Sequence, residues 1–187
     1  IEFSIESATL WNAEHPYLYT LVMTCEGETI AERVGLRDIH IENGVVLING
    51  QNVKFRGVNR HDSDPIVGPA VGKAQMLKDL TLMKLHNINA IRTSHYPYSE
   101  EIMHLADVYG IMVIDEVPAV GLNAWKGGTF REGRVDETTK SLHKQLIREL
   151  VARDKNHPCV VMLSVANEPA TEEDAARNYF RDVIGYA

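Results

Sequence analysis

Val160-Val161-Met162-Leu163-Ser164-Val165-Ala166-Asn167-Glu168-Pro169 is the stretch on which the fold turns. Its first half is a nearly unbroken apolar run, the pattern of a strand buried on both faces of a parallel sheet. It then ends in an amide, a carboxylic acid and a proline. A buried strand has no structural need of Asn-Glu at its carboxyl end, where an unpartnered glutamate is desolvated. In parallel α/β folds that end faces the functional site. Glu168 therefore reads as a functional acid, with a solvated loop acid as the plain alternative.

Working back from this strand, helical and strand patterns alternate. Leu142, Leu146, Ile147, Leu150 and Val151 mark a long helix before it, and Ile111-Met112-Val113-Ile114-Asp115 is a strand before that. Ile102, Leu105, Ala106 and Tyr109 mark another helix, stopped by Gly110 as a C-cap. Ile88-Asn89-Ala90-Ile91-Arg92 is a short strand, and Met76, Leu77, Leu80 and Met83 share one face of a helix. The first strand of the series is Val53-Lys54-Phe55-Arg56-Gly57-Val58-Asn59. Ahead of it, Asp38 to Ile48 reads as a hairpin turning at Asn43-Gly44, and a second Asn-Gly, at Asn49-Gly50, leads into the strand. After the quoted stretch, Thr171-Glu172-Glu173-Asp174 begins a fourth helix with an N-cap and acids in its first turn.

Four strand–helix units in a row mean a parallel sheet. A doubly wound sheet competes, but no G-x-G-x-x-G follows any strand. A closed eight-unit barrel needs roughly 250 residues, so at 187 residues a barrel is present only by half. Residues 1 to about 38 read as β, with Tyr17 to Met23 turning through Glu26-Gly27-Glu28 into Thr29-Ile30-Ala31.

The composition is that of a globular protein: 44% of residues are hydrophobic and 24% charged. A net charge of −7, from 19 basic and 26 acidic residues, disfavours nucleic acid as a partner. No apolar run approaches the roughly 18 residues of a membrane span. The chain opens on Ile1-Glu2-Phe3 without a signal-peptide pattern, which places its true start upstream. Cys25 and Cys159 lie in strand-like runs and read as buried free thiols, in keeping with a reducing, cytoplasmic setting.

Every parallel strand finishes in polar groups: Asn59-Arg60-His61-Asp62, Arg92-Thr93-Ser94-His95-Tyr96-Pro97, Asp115-Glu116 and Asn167-Glu168-Pro169. Such a rim suits a sugar, whose many hydroxyls need hydrogen bonds and whose cleavage needs carboxyl groups. His61, Asp62, Asp64 and His95 could instead supply metal ligands, but no H-E-x-x-H is present and no metal ligand or cofactor is assigned. Ser94 and His95 are adjacent, so their side chains point apart, and no elbow motif makes Ser94 a nucleophile. His61 and His95 read equally as ligands or as structural histidines. Trp125 and Tyr96 read as a sugar platform or as packing.

Arg56-Gly57-Val58-Asn59-Arg60-His61, Arg92-Thr93-Ser94-His95-Tyr96-Pro97, Val113-Ile114-Asp115-Glu116 and Ala166-Asn167-Glu168-Pro169 resemble the ordered motifs of family 2 glycoside hydrolases, which include β-galactosidases and β-glucuronidases. The resemblance implies a (β/α)₈ TIM barrel, with about its first four βα units over residues 38–187. Residues 1–37 would be the C-terminal strands of an immunoglobulin-like β-sandwich. It makes Glu168 the general acid/base and Asn167 a contact of the sugar 2-hydroxyl. His61 and His95 would bind the glycone, and Arg92 would support the site. It further implies a small-molecule β-glycoside substrate and a homo-oligomer for the full-length enzyme.

Within that family, Asn59-Arg60-His61-Asp62-Ser63-Asp64-Pro65 is similar to β-galactosidases. Val117 to Asn123, Tyr98-Ser99-Glu100-Glu101 and Ala152 to Pro158 resemble β-glucuronidases, and the balance favours glucuronides. A retaining glycosidase needs two carboxyl groups roughly 5–5.5 Å apart. Beyond Glu168 the only glutamates are Glu172 and Glu173, both expected at a helix start and turned from the rim. The family's nucleophile belongs to a later strand. The competing expectation is thus a non-catalytic fragment that binds sugar weakly or associates with another chain.

Overall fold

In the computed structural model, which describes residues 4–123 and 126–186, nine strands and four helices follow one another in the order the patterns suggest. β1 (Tyr19–Cys25) and β2 (Glu28–Val34) form an antiparallel ribbon around the turn Glu26-Gly27. Two strands alone cannot cover an apolar face, and Val22 and Ile30 remain exposed. Cys25, at the end of β1, is also exposed, against the expectation of burial, whereas Cys159 is fully buried.

β3 (Ile39–Glu42), β4 (Val45–Ile48) and β5 (Gln51–Asn52) make a small antiparallel sheet. Both Asn-Gly pairs turn hairpins, with positive φ at Asn43, Gly44, Asn49 and Gly50. The second pair joins β4 to β5 instead of leading straight into the parallel sheet. That sheet begins later than the apolar pattern suggests, at β6 (Gly57–Arg60). Residues 53–56 are the connection, held where Asn89 accepts the Arg56 N–H and donates to the Lys54 carbonyl.

β6, α1 (Lys73–Leu85), β7 (Ala90–Thr93), α2 (Glu100–Tyr109), β8 (Met112–Glu116), α3 (Glu137–Asp154), β9 (Val160–Ser164) and α4 (Asp174–Ile184) then alternate. The four strands are parallel and lie in sequence order. Met76, Leu80 and Met83 of α1 pack with Ile102, Met103, Leu105 and Ala106 of α2 and with the strands in one core cluster. Gly110 caps α2 in the left-handed conformation, as anticipated, where any Cβ would run into the Ala13 backbone. A second cluster lies beneath α3 and α4 and holds Val117, Ile147, Leu150, Tyr179 and Val183. Among the described residues no helix is long and apolar enough to cross a membrane.

Two helices depart from their sequence patterns. On α3 the buried face carries His143, Ile147, Leu150 and Asp154, while Leu142 is exposed. Two polar residues share that face with Ile147 and Leu150 because each has a partner inside. On α4 the helix starts at Asp174, so Glu172 and Glu173 precede its first turn. The Glu173 carboxylate is occupied elsewhere, accepting the backbone N–H groups of Thr129 and Phe130. Those bonds hold its carboxyl below the usual carboxylate range.

Candidate active site

The parallel register brings the four strand ends to one edge of the sheet. Asn59 pairs with Arg92, Arg92 with Ile114, and Glu116 with Ser164. Since side chains alternate along a strand, Asn59, Arg92, Glu116 and Ser164 fall on one face.

Glu116 is the hub of that face. It is fully buried, and an isolated carboxylate there would be costly. It accepts from Arg92 Nε at 2.6 Å, from His95 Nδ1 at 2.7 Å and from the Ser164 hydroxyl at 2.5 Å. Three donors, one of them a guanidinium, offset its desolvation. With Nδ1 bound to Glu116, the other ring nitrogen of His95 is left for a ligand. The His61 ring, itself exposed, stands edge-on to His95 at 5.3 Å between centroids.

Arg92 extends the network in two further directions. Nη1 reaches Asn59 Oδ1 at 3.4 Å, and Nη2 donates to Asn167 Oδ1 at 2.9 Å. With its oxygen engaged, Asn167 has its amide nitrogen available to donate.

Glu168 follows directly. It is exposed, and its φ of 42° puts a non-glycine residue in the left-handed region, a conformation that the surroundings must enforce. They do so on both sides. Asn167 N–H donates to the Ala119 carbonyl at 3.0 Å and Ala170 N–H to the Leu122 carbonyl at 2.7 Å. From beneath, His143 Nε2 donates to the Val165 carbonyl at 2.6 Å while Nδ1 accepts from the Tyr179 hydroxyl at 3.0 Å. Burial lowers the His143 pKa, which keeps the ring neutral, as one donor and one acceptor require. Tyr179, buried with its hydroxyl spent, is pushed up to about 12, chiefly by the same burial.

The expected site residues His61, Arg92, His95 and Asn167 thus share one network, and Glu168 is the next residue along the chain. The alternative metal set does not assemble. Arg60, bound to Asp79 through Nη2 at 2.8 Å, also holds Asp62 at 2.7 Å, and Asp64 accepts the Ile66 and Val67 N–H groups of its own turn. Ser94 is fully buried. The Tyr96 hydroxyl donates to the Asp62 carbonyl at 3.3 Å, which ties it into the loop. Trp125 lies outside the described residues. Ser164 and His143 carry no distinguishing motif, whereas Glu116 ends the Val113-Ile114-Asp115-Glu116 motif without standing out in it as a site residue.

The deciding comparison is with protein families. Residues 39–187 match the description "Glycosyl hydrolases family 2, TIM barrel domain", and residues 1–37 match "Glycosyl hydrolases family 2". The chain belongs to glycosyl hydrolase family 2. Its parallel sheet β6–β9, with the flanking helices, is part of this family's TIM barrel. Among individual family 2 proteins, it is 44% identical to a β-glucuronidase of Streptococcus agalactiae over 186 residues, 94% of this chain and 31% of that protein. The solved β-D-glucuronidase of Dictyoglomus thermophilum superposes with a TM-score of 0.92 at 45% identity, over 97% of this chain and 32% of that one. A β-galactosidase of Actinobacillus pleuropneumoniae is 38% identical over 90% of this chain and 19% of its own length. The chain spans about a third of the length of the β-glucuronidases it matches.

Proposed function

We propose that the protein carrying this chain is a retaining β-glycosidase that cleaves β-D-glucuronides, with Glu168 as general acid/base. The observation that carries the reading is the run of bonds from Glu116 through Arg92 to Asn167, which fixes the Asn167 amide directly before an exposed acid. In the first step Glu168 gives its proton to the glycosidic oxygen as that bond breaks. A carboxylate from a later strand attacks the anomeric carbon and forms the glycosyl-enzyme. In the second step Glu168 removes a proton from the water that releases the sugar. Asn167 donates to the 2-hydroxyl, and His95 and His61 contact the glycone. The preference for glucuronides over galactosides rests on similarity to β-glucuronidases at 44–45% identity, against 38% for the β-galactosidase.

In the full-length protein, Glu168→Gln should lower turnover of aryl β-glucuronides with poor leaving groups by about 10²–10⁴-fold and spare activated ones more. Equal turnover of the poor substrates by parent and variant would refute the assignment.

A second reading concerns the isolated 187 residues. Of the strand-end acids Asp62, Asp115, Glu116 and Glu168, the first three are buried, and Glu173 is engaged by backbone amides. These chemistries leave no partner carboxylate for Glu168 among them. The isolated chain should therefore not hydrolyse aryl β-glucuronide, and Glu168-dependent hydrolysis by it would overturn this second reading alone.

A further inference from the structure

On the helical side of the sheet, away from the strand ends, His104, Asp107 and His157 come together with one potential ligand atom from each lying within 4.8 Å of the others. His104 and Asp107 are three residues apart on α2 and so share a helix face. His157 enters from the turn between α3 and β9. Asp107 is buried and fixed at both oxygens. Oδ1 accepts the Cys159 N–H at 2.9 Å and Oδ2 accepts from His157 Nδ1 at 2.6 Å. The His104 ring meets the His157 ring at 4.8 Å between centroids, 69° from coplanar, and its own residue is exposed.

The chemistry of this trio differs from that of an ordinary buried ion pair. A His–Asp pair needs no second imidazole on its open side. Two imidazole nitrogens and a carboxylate are the donor set of Zn²⁺ and its neighbours, whereas Mg²⁺ and Ca²⁺ take oxygen donors. Binding an ion would displace the proton shared by His157 Nδ1 and Asp107 Oδ2, so that these two atoms, 2.6 Å apart, both meet the metal. Ligand atoms about 2.0–2.1 Å from a tetrahedral ion lie closer together than 4.8 Å. His104, exposed on the helix surface, can close the gap by rotating its side chain. The fourth position would face water.

We propose that His104, Asp107 and His157 form a binding site for a divalent transition metal such as Zn²⁺, separate from the strand-end site. Its place in the fold suggests a purpose. The N-terminal segment is anchored against the same spot. Trp11 Nε1 donates to the Asp107 carbonyl at 2.8 Å, Arg37 Nη2 donates to the Val160 carbonyl at 2.5 Å, and Gly35 lies so near Pro158 that an added Cβ would sit 2.5 Å from it. An ion held by α2 and the turn before β9 ties together the two elements on which that segment rests.

The test uses the full-length protein, stripped of metal, and its His104→Ala variant. His104 is exposed and lies outside the strand-end site, so the variant should fold and keep the activity of the metal-free parent. Zn²⁺ binding is followed by competition with a chromophoric chelator, and Co²⁺ absorption reports the ligand field. The parent should bind one more Zn²⁺ than the variant, with at least tenfold tighter affinity at that site, and Zn²⁺ should raise its melting temperature by several degrees more. Equal stoichiometry and affinity in the two proteins, or a tetrahedral Co²⁺ spectrum that His104→Ala leaves unchanged, would overturn the proposal.

Discussion

Arg92 and Asn167 are 75 residues apart in sequence and meet at 2.9 Å, guanidinium Nη2 to amide Oδ1. One end of that guanidinium is fixed by the buried Glu116 and the other fixes the residue before Glu168. The candidate acid thus owes part of its position to a strand two removed in the sheet. A planar fork with several donors can span Glu116, Asn59 and Asn167 at once, which an ammonium cannot.

Arg92→Lys should therefore behave as a positioning defect in the full-length protein. The charge opposite Glu116 survives, but Asn167 loses its anchor. We expect kcat for an aryl β-glucuronide to fall by about 10²-fold, with KM changing less. Steady-state kinetics decide the matter, and a loss confined to KM would contradict the positioning role.

Glu116→Gln tests the hub itself. It leaves Arg92 without a counter-charge and His95 Nδ1 without a carboxylate acceptor. Arg92 and His95 side chains are each 24% exposed, so water can recover part of the loss. The cost should be about 2–3 kcal/mol, below the ~3–5 kcal/mol of a wholly buried pair. Urea unfolding of the chain measures it, and a change under about 0.5 kcal/mol would mean that the network holds without its centre.

Much of this arrangement is legible in the sequence, and the exceptions have physical causes. The apolar runs of β8 and β9 and the polar ends of all four strands identify the sheet and its polar edge, because burial on both faces and a solvent-facing end leave local signatures. The Asn59, Arg92, Glu116 and Ser164 alignment has none, since register across strands is a tertiary property. His143 is silent because a helix pattern scores apolar residues: Ile147 and Leu150 mark the buried face, but the exposed Leu142 takes the place in the pattern that His143 fills in the structure. The left-handed backbone of Glu168 is likewise silent, since nothing but a tertiary scaffold makes glutamate adopt it. The start of β6 is hidden for a related reason. Val53 and Phe55 are apolar and half-buried, yet the residues around them serve a connection and not the sheet.

His143→Phe keeps the ring volume and removes both hydrogen bonds, leaving the Val165 carbonyl and the Tyr179 hydroxyl unpaired. The expected cost is about 1–3 kcal/mol. The variant should also change the response to acid. Burial lowers the His143 pKa in the folded state below its ordinary value near 6.5. The unfolded chain then binds the extra proton first, so this group's contribution is complete above about pH 6.5 and is lost on acidification. Unfolding measured at pH 7 and pH 5 should show a smaller decline in the Phe variant than in the parent. An identical decline would indicate that His143 is not buried neutral.

Asp115 gives a dependence of opposite sign. It is fully buried, with Thr93 Oγ1 on one oxygen at 3.3 Å and no hydrogen-bond partner on the other. Burial first, then the neighbouring Asp154 carboxyl, pushes its pKa up to about 7. Asp154 has the Arg153 fork to itself, at 2.8 and 2.6 Å, so Asp115 is the member of the pair that keeps a proton. An acid raised in the folded state binds a proton that the unfolded chain has already lost. Its stabilisation is therefore present at low pH and declines as pH rises from about 4 to about 7. Asp115→Asn cannot ionise, still accepts from Thr93 and can donate to Asp154. It should abolish that decline and stabilise the chain by about 1–3 kcal/mol at pH 8, with little change at pH 4. Unfolding free energies at the two pH values provide the test, and a variant destabilised at pH 8 would show that Asp115 is needed there as an anion.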